Sequence, residues 1–354
     1  MYLSQLDTPA LYLDLDVFER NQKKLIDFLK EVGIAFRPHY KSTRCTTIAH
    51  MQIAAGAKGI CCAKPDEAWD LAHAGIEDIL IANQVMSRDK IAKVAALAGC
   101  CRLGVCVDDL DNIEALSAAV TALGTKLYVL VEYNVGANRC GANSFEEFHA
   151  LAQKVINSPG LEFEGIQAYA GQLSHQKDYQ IRKTTSAQVE QLLKNLIVYL
   201  GERGISVKEV SGVSTGSLGF RTKDSVYTEV QAGSYVFMDA AYNALNLKFE
   251  NSLFVLSTVM KVTDEWIVVD TGRKSVSVDQ AMPYIPGYEN SPQMKVSEEH
   301  TKFPSSIMET EIGVFLAEIP GHCCTTMNLH DYIYFVRQGK VVDRVLITSR
   351  GHSR

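Results

Sequence analysis

From about residue 34 to residue 235 the chain repeats one hydrophobic rhythm. Short apolar runs, of the kind buried on both faces of a parallel sheet, alternate with longer stretches of mixed polarity. Runs at 34–38, 59–62, 79–82, 103–107, 127–132, 163–169, 207–210 and 227–231 predict strands. Stretches at 66–74, 90–98, 145–156 and 185–201 predict helices; the last has apolar residues three and four apart and closes on Gly201. Eight strand–helix units in succession predict an α/β chain with a (β/α)8 TIM barrel. An open doubly wound sheet is the alternative, because periodicity alone does not show closure. No GxGxxG follows the first strand, which weakens a dinucleotide-binding reading.

Beyond about residue 242 the texture changes. Segments 253–262, 266–270, 308–316, 332–336 and 340–347 predict strands, and long helical patterns are missing. Segment 285–304, rich in Pro, Gly, Ser and charge, reads as one long loop. A strand at 10–14 precedes a helix at 17–31. The expected organisation is a barrel over 12–242 and a mainly β C-terminal domain over 243–354, joined by the N-terminal strand region 1–11.

Composition narrows the function classes. With 354 residues and a formal charge of −6, the chain has room for two domains and lacks the basic footprint of a nucleic-acid binder. No apolar run approaches the roughly 20 residues of a membrane helix. The first residues do not resemble a signal peptide, so a cytoplasmic location is expected. Nine cysteines, six of them in the adjacent pairs 61–62, 100–101 and 323–324, read as reduced thiols, at least seven of them in the core. No CxxC spacing occurs, which argues against a structural zinc site.

Candidate chemistry sits at the predicted strand ends. Lys41 follows the first strand, with Pro38 restricting the backbone and His39 close by; a lysine there can serve as an imine-forming nucleophile. Segment 211–217, with Thr215 and Gly216, follows the seventh strand, and Gly233-Ser234-Tyr235 follows the eighth. Loops in those places commonly bind phosphate through backbone N–H groups and hydroxyls. Arg139, after the fifth strand, could hold a phenolate or carboxylate, and Tyr169, at the end of the sixth, could stack on a flat ring. His322 and Cys324 are two apart, which on a strand puts both side chains on one face, able to share a cation. His330 and Asp331 are candidates to support them. Each has an ordinary alternative: a surface lysine, a turn, a solvated arginine, a packing tyrosine, a buried cysteine pair beside a histidine.

Together these residues are more specific. The chain resembles the D-threonine aldolase and D-serine dehydratase family, pyridoxal-phosphate enzymes of fold type III with the alanine-racemase-like fold. The resemblance runs through Asp7-Thr8-Pro9-Ala10-Leu11, Arg37-Pro38-His39-Tyr40-Lys41, Gly59-Ile60-Cys61-Cys62-Ala63-Lys64 and Gly75-Ile76-Glu77-Asp78-Ile79-Leu80. It continues in Asn138-Arg139-Cys140-Gly141, Gly233-Ser234-Tyr235-Val236-Phe237-Met238-Asp239 and the run 322–331. It implies that Lys41 carries pyridoxal 5'-phosphate through an imine, with His39 beside it and Arg139 and Tyr169 against the ring. By the same resemblance Thr215, Gly216, Gly233, Ser234 and Tyr235 hold the phosphate, and His322 and Cys324 bind a divalent metal, zinc first, with manganese or magnesium as alternatives. A head-to-tail homodimer and a β-hydroxy-D-amino acid substrate are implied too. Segments 270–274 and 277–279 also match the family, without a defined role. Within the family a His-x-Cys pair resembles the D-serine and hydroxyaspartate dehydratases and His-x-Asp the aldolases. The expectation is therefore a dehydratase giving a 2-oxo acid and ammonia, with retro-aldol cleavage to glycine and an aldehyde as the alternative. An amino-acid racemase and a non-catalytic cofactor carrier rank below both.

Overall fold

A computed structural model of the chain describes residues 1–289 and 294–354. Two compact units divide it, one formed by residues 25–41, 46–233 and 352–354, the other by residues 1–24, 42–45 and 234–351. The first strand, β1 (Ala10–Asp14), belongs to the second unit, and helix α1 (Leu15–Val32) follows it directly. The Asp14 carboxylate starts that helix by accepting the Val17 N–H at 3.1 Å.

The larger unit is the barrel. Its strands are β2 (Ala35–Phe36), β3 (Ile60–Cys62), β4 (Asp78–Ile81), β5 (Arg102–Val107), β6 (Leu127–Glu132), β7 (Leu161–Ala168), β8 (Glu209–Gly212) and β9 (Glu229–Val230). All pair in parallel in the order β2-β9-β8-β7-β6-β5-β4-β3. The two ends of that order meet at a parallel bridge between His39 and Cys61, where the Cys61 N–H donates to the Pro38 carbonyl at 3.0 Å. Helices α2 (Thr46–Ala54), α3 (Pro65–His73), α4 (Arg88–Leu97), α5 (Leu110–Leu123), α6 (Phe145–Ile156) and α7 (Tyr179–Gly201) lie between them in sequence. Local chemistry starts three of these: Asp109, Ser144 and Asp178 each accept a first-turn N–H from the N-cap position.

The barrel interior is apolar at its middle and charged at one level. Cys61, Leu80, Cys106 and Leu130 pack together there. Arg37, wholly buried, pairs with Glu229 at 2.9 Å and Asp78 at 2.7 Å, and Lys58 reaches Glu229 at 3.2 Å. Burial opposes ionisation of Glu229, but Arg37 and Lys58 outweigh it and hold the carboxyl below its ordinary range. Residue 59 has to be glycine for this arrangement, since a Cβ there would lie 2.5 Å from the Arg37 guanidinium.

The second unit is mainly β. After a short helix α8 (Ala240–Asn243), it holds β10 (Leu253–Val262), β11 (Trp266–Val269), β12 (Lys295–Val296), β13 (Thr301–Pro304) and β14 (Phe315–Glu318). Helix α9 (Cys323–Met327), β15 (Tyr332–Arg337) and β16 (Lys340–Leu346) complete it. The sheet order is β12-β13-β11-β10-β1-β15-β16, with β14 also on β10. Val259, Ile267, Val269, Ile285, Phe303 and Leu316 form one core, and Leu6, Ala10, Tyr12, Leu256 and Val336 another.

Three expectations need correction. The loop expected over 285–304 contains β12 and β13; Thr301 and Phe303 are buried and Lys302 exposed, an alternation that charge and proline obscure in the sequence. Residues 290–293 of that loop lie outside the described residues. The strand expected at 308–316 begins at Phe315 instead, because Gly313 turns the chain with φ +88° just before it. All nine cysteines are free thiols, but only Cys45, Cys61, Cys62, Cys106 and Cys323 are fully buried.

Candidate active site

Within the barrel unit, Lys41 lies in a 3-10 turn, Tyr40–Ser42, soon after β2. Its backbone N–H donates to His39 Nδ1 at 3.3 Å. A cavity of about 190 Å³ is lined by Lys41, His39, Arg139 and Tyr169, together with Asn83, Gln167, Gln231 and two alanines. The Lys41 ammonium sits 5.5 Å from the centre of the Tyr169 ring and the Arg139 guanidinium 5.6 Å from it. Burial, and then the positive charges of Lys41 and Arg139, push the His39 imidazole well below its ordinary pKa, so it is neutral.

Thr215, Gly216 and Gly233 are not among the residues lining this cavity. The loop after β8 is nevertheless tied to it. Tyr169 Oη and Ser174 Oγ are hydrogen-bonded at 2.9 Å, and a Cβ on Gly216 would lie 2.3 Å from the Ser174 carbonyl oxygen. Val213, at the start of this loop, holds φ +69°, which a β-branched residue adopts only under constraint from its surroundings. Thr215 is buried beside it.

Ser234 and Tyr235 belong to the mainly β unit. Tyr235 is fully buried, edge-on to Phe249 with ring centres 5.6 Å apart. Ser234 Oγ lies 3.5 Å from Cys324 Sγ, and Ser42 Oγ lies 3.2 Å from the same sulfur. His322 and Cys324 are not on a strand. His322 is the extended N-cap residue of α9 (φ −147°), and Cys324 is in the helix's first turn. The change of backbone between them still brings imidazole and thiol into hydrogen-bonding range. Residue 321 admits only glycine, since a Cβ there would meet the Ala281 carbonyl oxygen at 1.9 Å.

The partner of His322 is a residue to which sequence reasoning gave no role. His322 Nδ1 and Asp279 Oδ2 are 3.0 Å apart, and Asp279 also accepts hydrogen bonds from Ser277 and, at 3.0 Å, from Thr325 Oγ1. Burial opposes charge on the imidazole, but Cys324 and Asp279 outweigh it and raise its pKa to about 9. His330 and Asp331, expected to support the pair, do not: His330 Nε2 bonds the Ser275 carbonyl at 2.7 Å and Asp331 pairs with Arg350. Only the match of 277–279 to the family pointed at Asp279, 43 residues before His322.

Both centres suit the groups the sequence suggested. The barrel cavity offers an amine, a guanidinium and an aromatic face to a flat anionic ring. The His322–Cys324 pair offers imidazole and sulfur, and Asp279 takes up the imidazole's Nδ1, leaving Nε2 as the nitrogen that could bind a cation. Among the described residues no group of three His, Cys, Asp or Glu side chains is placed to hold a metal ion.

This fold is that of the alanine-racemase-like enzymes of fold type III. The "Alanine racemase, N-terminal domain" family model matches residues 13–241, and the "Putative serine dehydratase domain" model matches residues 252–336. Within the class the chain belongs to the D-threonine aldolase and D-serine dehydratase family of pyridoxal-phosphate-dependent lyases. It is 38% identical to D-threonine aldolase of Arthrobacter sp over 99% of this chain and 95% of that one. It is 36% identical to 3-hydroxy-D-aspartate aldolase of Paracoccus denitrificans (strain Pd 1222) over 98% of this chain and 93% of that one. The crystal structure of D-threonine aldolase from Filomicrobium marinum superimposes with a TM-score of 0.95 at 38% identity, covering 99% of this chain and 98% of that one.

Proposed function

We propose that this enzyme cleaves the Cα–Cβ bond of β-hydroxy-D-amino acids to glycine and an aldehyde, with pyridoxal 5'-phosphate on Lys41 and a divalent cation on His322 and Cys324. The observation that carries this reading is similarity over nearly the whole chain to two curated aldolases and to a solved D-threonine aldolase. It reverses the ranking drawn from the His-x-Cys pair alone. When bound, the cofactor withdraws electrons from the amino acid's Cα and the cation acts as a Lewis acid on the β-hydroxyl.

The chain's own residues take the remaining roles. Lys41 would hold the cofactor through its amine, and that amine would be available to move a proton at Cα. Neutral His39 does not add a positive charge beside that amine. Arg139 and Tyr169 would hold the ring, and Thr215, Gly216, Gly233, Ser234 and Tyr235 would hold the phosphate. Asp279, bonded to Nδ1, would fix the His322 ring so that Nε2 is free to hold the cation. Zinc suits the imidazole–thiolate pair best, with manganese or magnesium as alternatives. A cytoplasmic head-to-tail homodimer completes the proposal. Among the described residues no helix is long and apolar enough to cross a membrane.

Dehydration remains the second reading, favoured by one observation: the second metal donor is the thiol of Cys324, hydrogen-bonded to Ser42 and Ser234. Incubation with D-threonine and added metal separates the two. Glycine and acetaldehyde in equal amounts are expected, whereas 2-oxobutyrate and ammonia would establish the dehydratase.

A further inference from the structure

Ser42 follows Lys41 in sequence and belongs to the mainly β unit, where its side chain is buried. Its hydroxyl approaches Cys324 Sγ at 3.2 Å and Ser234 Oγ at 3.5 Å. Ser234 Oγ is in turn 3.5 Å from the same sulfur, and the buried Cys323 Sγ is 4.0 Å from it. The Cys323 N–H is engaged elsewhere, by the Asp239 carboxylate at 2.8 Å, and Asp239 is itself pinned by the Tyr242 N–H at 2.9 Å.

One proton per hydroxyl decides which group serves the sulfur. A thiolate that binds a cation has no proton and only accepts. Ser42 carries a single O–H and faces two acceptors. At 3.5 Å the Ser234 oxygen lies outside the normal range for O–H···O, whereas 3.2 Å is close for the larger sulfur atom. An anionic acceptor strengthens that bond further. Ser234 has one O–H as well, and a phosphate claims it under the proposed reading. Cys323 offers only a weak S–H donor, at the longest of the three distances. Ser42 is left as the donor to the sulfur.

We propose that Ser42 is a positioning residue for the metal centre: its hydroxyl donates to the Cys324 thiolate, fixes the direction of the sulfur and withdraws charge from it. The inference rests on the reading that His322 and Cys324 hold a divalent cation. A sulfur that shares its lone pairs with an O–H gives less electron density to the metal. The cation then keeps more of its positive charge, which suits a Lewis acid acting on a substrate hydroxyl.

The test places cobalt(II) in the full-length, cofactor-loaded protein, since a thiolate bound to cobalt gives a near-ultraviolet charge-transfer band. The band is read as the difference between cobalt-loaded and metal-free protein. No band in wild type, or one that survives in Cys324→Ala, overturns the metal reading and the proposal with it. In Ser42→Ala the band should move to longer wavelength, because the unshared sulfur electrons are easier to remove, and cobalt affinity should fall roughly 10-fold. Ser42→Thr, which keeps the hydroxyl, should restore both; a threonine variant that behaves like the alanine one contradicts the hydroxyl's role. A Ser42→Ala band at the wild-type wavelength overturns the proposal and leaves the metal reading intact. Wild type alone supplies a second measurement, so a variant that fails to fold does not remove the test. Its cobalt–sulfur stretch in resonance Raman should shift on transfer from light to heavy water, and an unshifted stretch contradicts an O–H on the sulfur.

Discussion

The two centres of this molecule are built on opposite electrostatic plans. The barrel cavity gathers Lys41 and Arg139 around a neutral imidazole, with no carboxylate in its lining. The His322 centre gathers the Asp279 carboxylate and the Cys324 thiol, with the buried Asp239 carboxylate accepting the intervening Cys323 N–H at 2.8 Å. The first plan is compatible with an anionic ligand and the second with a cation, so the two centres differ most in the sign of the charge they present.

The contrast extends to the buried acids supporting each unit, and there the largest effect is expected. Glu229 in the barrel is paired with a cation, whereas Glu318 in the mainly β unit accepts at Oε1 from the Thr271 hydroxyl and has no hydrogen-bond partner at Oε2 among the described residues. Arg37→Leu should strand the Glu229 charge and destabilise the protein by about 3 kcal/mol, the low end for a broken buried pair because Lys58 still faces Glu229 at 3.2 Å. Urea unfolding measures this; a loss under about 1 kcal/mol would show that the pair carries no such weight.

Glu318 should show the opposite pH dependence. Burial, against the hydrogen bond from Thr271, raises its pKa from the ordinary 4.5 to about 7. The folded state therefore holds the proton more tightly than the unfolded state between those values. Its contribution to stability is full below pH 4.5 and is lost as pH rises toward 7. Glu318→Gln should leave stability at pH 4.5 little changed and raise it at pH 8 by up to about 3 kcal/mol. Equal gains at both pH values would contradict the shift. Glu229 runs the other way: its lowered pKa makes its contribution present above the unfolded value and lost as pH falls.

The smallest effect separates the two centres themselves. Asp279→Asn should weaken divalent-metal affinity roughly 10- to 100-fold, through misorientation of His322, while leaving cofactor uptake at Lys41 unchanged. Calorimetric titration with zinc and the visible spectrum read the two independently. Unchanged metal affinity would remove Asp279 from the site.

Much of the barrel was legible in the sequence because its strands are buried on both faces and so read as continuous apolar runs between helical patterns. Lys41, Arg139 and Tyr169 were legible for the same reason, each lying at or soon after a predicted strand end. The His322–Cys324 pair was legible as residue types but not as geometry: an extended N-cap followed by a short helix has no periodicity to detect. Asp279 meets His322 across 43 positions, a contact that a single sequence does not display. In the β unit, β13 was hidden because its alternation occupies only four residues, Thr301–Pro304, inside a charged and proline-containing stretch.

The central claim is that Lys41 bears the cofactor. Borohydride reduction of the pyridoxal-phosphate-loaded protein, followed by peptide mapping by mass spectrometry, tests it directly. The account predicts a stable pyridoxyl adduct on Lys41. An adduct on a different lysine, with Lys41 unmodified, would contradict it.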